Sequence, residues 1–230
     1  MTIDLRGKWA LVTGSSRGIG VQIAQGLAQH GCNLVLHSRH PSGTDALART
    51  LATQVRVVAL AAELSDQSAV DALAQEAQRL SGGIHILYNN AAIMTPYRQD
   101  LAAVTAEDYR RSFEVNVIAP IRLTFALLPG MRSKKFGRII QVTSGIKNEP
   151  ELMAYAASKA ALDKFVHDMA PRLLGTGVTM NLLDPGWLRT DLGGPKAPNA
   201  VESVLPGALV PALAGDDMHG QLICAQDYAR

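Results

Sequence analysis

Short apolar runs alternate along this chain with stretches in which apolar residues recur every three or four positions. The runs WALVT (9–13), NLVLH (33–37), VRVVALA (55–61), IHILY (84–88), RIIQVT (138–143) and VTMNLL (178–183) are rich in Val, Ile and Leu. Runs of that length without polar alternation predict strands covered on both faces, as in a parallel sheet. Between the first two, Ile19, Ile23 and Leu27 share one helical face, and Gly31 marks the end of that helix. Val70, Leu73, Ala77 and Leu80 repeat the pattern until Ser81-Gly82-Gly83 stops it. TAEDY (105–109) predicts a capped helix start, with Thr105 as N-cap and Asp108 three residues on. GQLICA (220–225) is a candidate last strand. Alternating strand and helix predict an α/β fold with a doubly wound parallel sheet of the Rossmann type. There is no internal repeat and no linker, only a loop-like stretch at 191–200, so residues 1–230 are expected to form a single domain.

Composition narrows the partners. The 230 residues are 47% hydrophobic, enough for one sizeable core. Their formal net charge is +2, with 22 basic and 20 acidic residues and no block of like charge, which supports neither a nucleic-acid nor a membrane-surface partner. The N-terminus lacks a signal-peptide pattern, and no apolar run reaches the roughly 20 residues of a membrane span, so a soluble protein is expected. Cys32 and Cys224 sit in no metal or redox spacing, which points to a reducing, cytoplasmic setting. His37 and His40 flank a strand end and read as structural or surface residues, with no metal site expected.

Candidate chemistry begins at LVTGSSRGIG, where Gly14, Gly18 and Gly20 lie between the first strand and the first helix. Glycine allows positive φ and close approach, and a helix N-terminus presents free N–H groups to a pyrophosphate. A tight turn that binds nothing is the alternative. The second strand ends LVLHSRH, without the Asp or Glu that holds the ribose of NAD. Ser38 and Arg39 stand there, and Arg17 lies inside the glycine turn. Two guanidiniums near one point suit a 2′-phosphate, so NADP(H) is favoured over NAD(H), unless both are ordinary solvated arginines. Farther on, Tyr155 and Lys159 are four residues apart, one helical turn, which sets a cation beside a phenol.

TGSSRGIG, NNAA, SFEVNV, VTS, YAASK and DPGWLRT, in that order, resemble the short-chain dehydrogenase/reductase family over Lys8 to about Asp227, and the stretch from DPGWLRTDLGGPKAP to HGQL is most similar to its carbonyl reductases. The resemblance implies a seven-stranded sheet with helices on both faces and cofactor across the strands' carboxyl ends. By position it makes Ser144, Tyr155, Lys159 and Asn116 the catalytic residues. It implies cofactor contacts at Gly14, Ser16, Arg17, Gly18, Ile19, Gly20, Ser38, Arg39, Glu63, Leu64, Asn90, Ala91, Tyr155, Lys159, Pro185, Gly186 and Thr190. Asn89 belongs to the same adenosine-side segment. Ala92 stands where glycine is usual, Glu63 replaces the commoner aspartate, and the interval from Ser144 to Tyr155 is slightly short.

These residues suggest a mechanism. A free phenol has a pKa of about 10, and a nearby Lys159 cation, together with an oxidised nicotinamide, is expected to lower it. Tyr155 would donate a proton to a carbonyl oxygen that receives hydride from NADPH, and Ser144 would orient that oxygen. Lys159 would also bind the nicotinamide ribose, and Asn116, in a helix interior, would hold a water linking lysine to solvent. Met94, Ile146, Met153, Trp187 and Leu192 are candidates for an apolar substrate wall, although an indole after a strand also commonly just packs. Lys147, Glu149 and Glu151 read as a solvated loop. The expected activity is reduction of a ketone or aldehyde to an alcohol, with the reverse oxidation open to the same residues. An NAD-linked alcohol dehydrogenase and a catalytically idle NADP-binding redox sensor are the alternatives. The apolar faces of 113–128 and 155–169 predict a homo-oligomer, tetramer or dimer, around a small-molecule carbonyl or alcohol substrate.

Overall fold

Strands form where the apolar runs fall, with ends displaced by one or two residues: β1 and β3 are shorter than their runs, while β2 and β6 run one residue farther. The computed structural model describes residues 2–229. Its strands are β1 (Trp9–Val12), β2 (Asn33–Ser38), β3 (Val57–Ala61), β4 (Ile86–Asn89), β5 (Gly137–Val142), β6 (Val178–Asp184) and β7 (Leu222–Cys224). They pair in parallel in the order β3-β2-β1-β4-β5-β6-β7. After β1 the chain fills β2 and β3 on one side, then returns to lay β4 on the other. A crevice therefore opens between β1 and β4 at the strands' carboxyl ends, where open α/β sheets bind ligands.

The absence of alternation in the strands has a direct cause. In β1, Ala10 and Val12 enter one core while Trp9 and Leu11 enter the other, so both faces are dry. Helices α1 (Gly18–Gln29) and α2 (Asp45–Leu51) cover the first face through Ile23, Leu27 and Leu51. Helices α3 (Gln67–Ser81), α5 (Ala119–Ser133) and α6 (Met153–Met169) cover the second through Val70, Leu73, Leu123, Leu127 and Val166.

Helix ends follow the local signals. Asp66 caps α3 by accepting from the Ser68 and Ala69 N–H groups at 2.8 and 3.3 Å, and Gly82 ends it at φ 73°. Helix α4 (Ala106–Phe113) starts with the expected reciprocal pair: Asp108 N–H donates to Thr105 Oγ1 at 3.2 Å, and Thr105 N–H to Asp108 Oδ2 at 2.9 Å. Such caps contribute about 1 kcal/mol each. One π turn, Glu114–Ile118, joins α4 to α5. The helical stretch 106–133 is long and apolar enough by composition to cross a bilayer, but half of its apolar window is buried in the protein.

Candidate active site

The glycine turn is built by contact with β4. Gly14 and Gly18 have φ of +66° and +58°, in the left-handed region where a side chain is strained. An added Cβ at Gly14 would lie 2.9 Å from Ala91 Cα, and one at Gly20 would lie 2.8 Å from Asn90 Nδ2. Asn90 donates from Nδ2 to the carbonyls of Thr13 and Gly14 at 2.9 and 3.2 Å, and Thr13 Oγ1 accepts from the N–H groups of Asn90 and Ala91. Asn90 thus staples the turn to β4. Helix α1 then begins at Arg17 with no side-chain cap and no acid in its first turn, unlike α3 and α4. Its first N–H groups and its positive dipole end remain available to an anion, which fits a pyrophosphate.

His37, which reads as structural or surface in the sequence, is structural: it is buried and braces this turn. Its Nδ1 accepts from Gly14 N–H at 3.1 Å, and its Nε2 lies 3.1 Å from the Ala62 carbonyl, an arrangement that assigns the neutral Nε2–H tautomer. Burial depresses its pKa and keeps it neutral. Nothing in the sequence marks this role except its place at the end of β2.

The corner expected to read a 2′-phosphate is less shared than the sequence suggests. Arg17 Nη1 pairs with Asp191 Oδ2 at 2.6 Å, so its guanidinium is held by the loop after β6. Ser38 is buried, and its hydroxyl donates to the His40 carbonyl at 2.7 Å. Arg39 is exposed at the cavity edge. Glu63 accepts from Ser65 N–H at 3.0 Å; its burial favours protonation, but that bond and the Arg39 charge hold its pKa below the usual range.

One cavity of about 1200 Å³ joins these elements to the residues expected to be catalytic. Gly14, Ser16, Arg17, Gly18, Ile19, Ser38, Arg39, Glu63, Leu64, Asn90 and Ala91 line it together with Ser144, Tyr155, Lys159, Pro185, Gly186 and Thr190, the last lying against Gly18. Gly20 and Asn89 lie behind the wall: Gly20 packs on the turn, and Asn89 donates to the Pro120 carbonyl at 3.2 Å. Of the expected apolar wall, Met94, Ile146, Trp187 and Leu192 line the cavity, while Leu152 stands there in place of Met153. Trp187 remains 58% exposed, and its indole N–H donates to the Gly193 carbonyl at 2.7 Å. Lys147 and Glu149 also border the opening. Among the described residues no group of three or more His, Cys, Asp or Glu side chains could hold a metal ion.

At the catalytic end the expectation for the Tyr155 pKa needs correction. Tyr155 has its pKa raised: burial favours the neutral phenol, the Ser144 hydroxyl pulls the other way, and the Asp184 carboxylate adds to the rise. Lys159 does not offset this, because its Nζ donates to the Val142 carbonyl at 2.8 Å and lies 5.8 Å from the Tyr155 ring centroid. Burial in turn depresses the Lys159 pKa to about 8, against an upward pull from Asp163. Asn116 lies in the π turn and off the cavity, with its side chain already satisfied. Its Oδ1 accepts from Ile93 N–H at 2.9 Å, and its Nδ2 donates to the Ile93 carbonyl and Ser158 Oγ at 2.9 and 3.0 Å. That side chain holds the Ile93 segment against α6 and has no donor left for a water. Asp184, also on the cavity wall and accepting from Gly186 N–H at 2.9 Å, was not anticipated.

A family profile described as short chain dehydrogenase matches residues 8–200. A ketoacyl reductase of Nostoc sp. is 36% identical over 80% of this chain, the match spanning 64% of that protein's length. A 3-oxoacyl-[acyl-carrier-protein] reductase of Vibrio cholerae is 35% identical over 91% of this chain and 84% of its own length. A crystal structure of a 3-oxoacyl (acyl-carrier-protein) reductase from Agrobacterium tumefaciens, with NADP bound, superposes with a TM-score of 0.84. It is 29% identical, and the superposition covers 96% of this chain and 93% of that one.

Proposed function

This chain belongs to the short-chain dehydrogenase family, and we propose that it is an NADP(H)-dependent oxidoreductase that reduces a ketone or aldehyde to an alcohol. The observation that carries this reading is that one cavity is lined by both the glycine turn and Ser144, Tyr155 and Lys159. Its volume of about 1200 Å³ exceeds the roughly 300–1,000 Å³ of ordinary ligand pockets, as a dinucleotide and a substrate together require. The uncapped start of α1 receives the pyrophosphate, and Arg39 favours the 2′-phosphate. NADP-containing neighbours such as the Agrobacterium protein support that choice.

When bound, the cofactor supplies the hydride. Tyr155, kept protonated by burial, donates its proton to the carbonyl oxygen, and Ser144 hydrogen-bonds the same oxygen. Lys159, buried with its Nζ 5.8 Å from the phenol ring centroid, keeps a positive charge in the site and would hold the nicotinamide ribose hydroxyls. The raised Tyr155 pKa favours this reducing direction near neutral pH, since the phenol holds its proton until it is used. Met94, Leu152, Trp187 and Leu192 give the substrate end an apolar character.

We further propose Ser144, Tyr155 and Lys159 as the catalytic set, with Asn116 as a structural member, in one domain of a cytoplasmic homo-oligomer. Half-exposed Phe125 on α5, edge-on to Phe165 of α6 at 5.9 Å, supports a contact between copies. The test is a panel of ketones, aldehydes, sugars and alcohols, read by nicotinamide absorbance with both cofactors. No turnover of any carbonyl with NADPH, in protein that binds NADPH, would leave the idle-sensor reading in its place.

A further inference from the structure

Tyr155, Lys159, Asp163 and His167 recur at intervals of four along α6, each one turn from the next. The first two line the cavity. Asp163 is half-buried against the end of β5, where it accepts a hydrogen bond from the hydroxyl of Thr143. Thr143 is itself 4% exposed and donates its N–H to the Leu183 carbonyl of β6 at 2.8 Å. Its neighbour Val142 accepts from Lys159 Nζ. Two consecutive residues at the end of β5 are therefore tied to α6, one by the cation and one by the carboxylate a turn farther on. Ser144 comes next in the chain.

We infer that Asp163 is a positioning residue for the reaction: through Thr143 its carboxylate sets the strand end that carries Ser144, and one turn along α6 it places a negative charge next to Lys159. The inference rests on the carbonyl-reducing function proposed above. Burying an ammonium favours its neutral form, and Asp163 supplies the charge that opposes this at Lys159. The other titratable groups facing the pair are Tyr155 and His167 on α6 and Asp184 at the end of β6. Burial raises the Asp163 pKa and the Asp184 charge adds to that rise, while the Thr143 hydroxyl, Lys159 and exposed His167 oppose it; Asp184 also acts on Tyr155. Val142 and Thr143 bring no charge, and Asn116 of the π turn does not titrate.

Asp163→Asn removes the charge and keeps an acceptor for Thr143. The direct readout needs no substrate: protein carrying ¹³Cε-labelled lysine is titrated by NMR, with the Lys159 resonance assigned by its loss in Lys159→Met. Lys159 should lose its proton about one pH unit lower in Asp163→Asn than in the native protein, and at the native pH in Asp163→Glu. On a reducible carbonyl, the alkaline limb of kcat/KM should move down by the same interval. Thr143→Val tests the other half: it should lower kcat about tenfold through a displaced Ser144, leaving the Lys159 titration in place. An unmoved Lys159 resonance in folded Asp163→Asn, or an unchanged kcat in Thr143→Val, overturns the proposal. A moved resonance in a protein that binds NADPH and reduces no carbonyl supports the Lys159 coupling and overturns the proposed reaction instead.

Discussion

Replacing Arg39 by alanine should remove most of the preference for NADPH over NADH. Three side chains stand near the expected 2′-phosphate, and two already have partners: Arg17 is paired with Asp191, and the Ser38 hydroxyl donates to His40. Arg39 is the cation left at that corner. A hydrogen bond to a charged group contributes about 1.5–3 kcal/mol. Because Arg39 is exposed, water and salt screen it, and the lower end applies. That corresponds to about tenfold in affinity. Arg39→Ala should therefore raise the KM for NADPH about tenfold while leaving that for NADH within about twofold. Initial rates with each cofactor, at low and high salt, measure this, and the native preference should shrink as salt rises. An unchanged ratio of the two kcat/KM values in Arg39→Ala would refute the reasoning, as would an equal loss in Arg17→Ala. The double change Ser38→Asp with Arg39→Leu should reverse the order. The structure adds a cost to that reversal: aspartate cannot donate to the His40 carbonyl, and an added Cβ at Gly43 would lie 2.6 Å from Ser38 Oγ, so the 40–43 turn must yield.

Tyr155→Phe should abolish carbonyl reduction while leaving NADPH binding near native; substantial kcat in that variant removes the proposed proton donor. With Lys159 at about 8 and Tyr155 raised, kcat/KM for reduction should be level through neutral pH and fall above about pH 8 as Lys159 loses its charge. A rate that keeps climbing above that point contradicts this order of titration. Gly14→Ala strains a φ of +66° and presses on Ala91, so it should cost about 1–3 kcal/mol of stability and weaken NADPH binding. Thermal melting and a fluorescence titration test it, and no change in either sinks the close-approach argument. Sedimentation should show a dimer or tetramer that Phe125→Glu dissociates; a native protein that is only monomer at micromolar concentration ends the oligomer proposal.

Much of this molecule is legible in the residues themselves. The buried strands follow from unbroken apolar runs, the start of α4 from Thr105 and Asp108, and the turn after β1 from its glycines. The one-turn spacing of Tyr155 and Lys159 likewise needs only helix geometry. Each of these is settled by neighbours within a few residues, through backbone sterics and side-chain period. What stayed hidden depends on groups remote in the chain. Asp191 claims Arg17 from across the cleft, His37 braces Gly14 from the next strand, and Ile93 and Ser158 use up the Asn116 amide. The turn between β5 and α6 points Leu152 rather than Met153 into the cavity. The largest reversal is at Tyr155, whose neighbour in sequence promised a lowered pKa while its surroundings raise it. Spacing along a helix states which charges are near one another. The loss of water around them, and the direction in which Lys159 turns its ammonium, come only from packing α6 against the ends of β5 and β6.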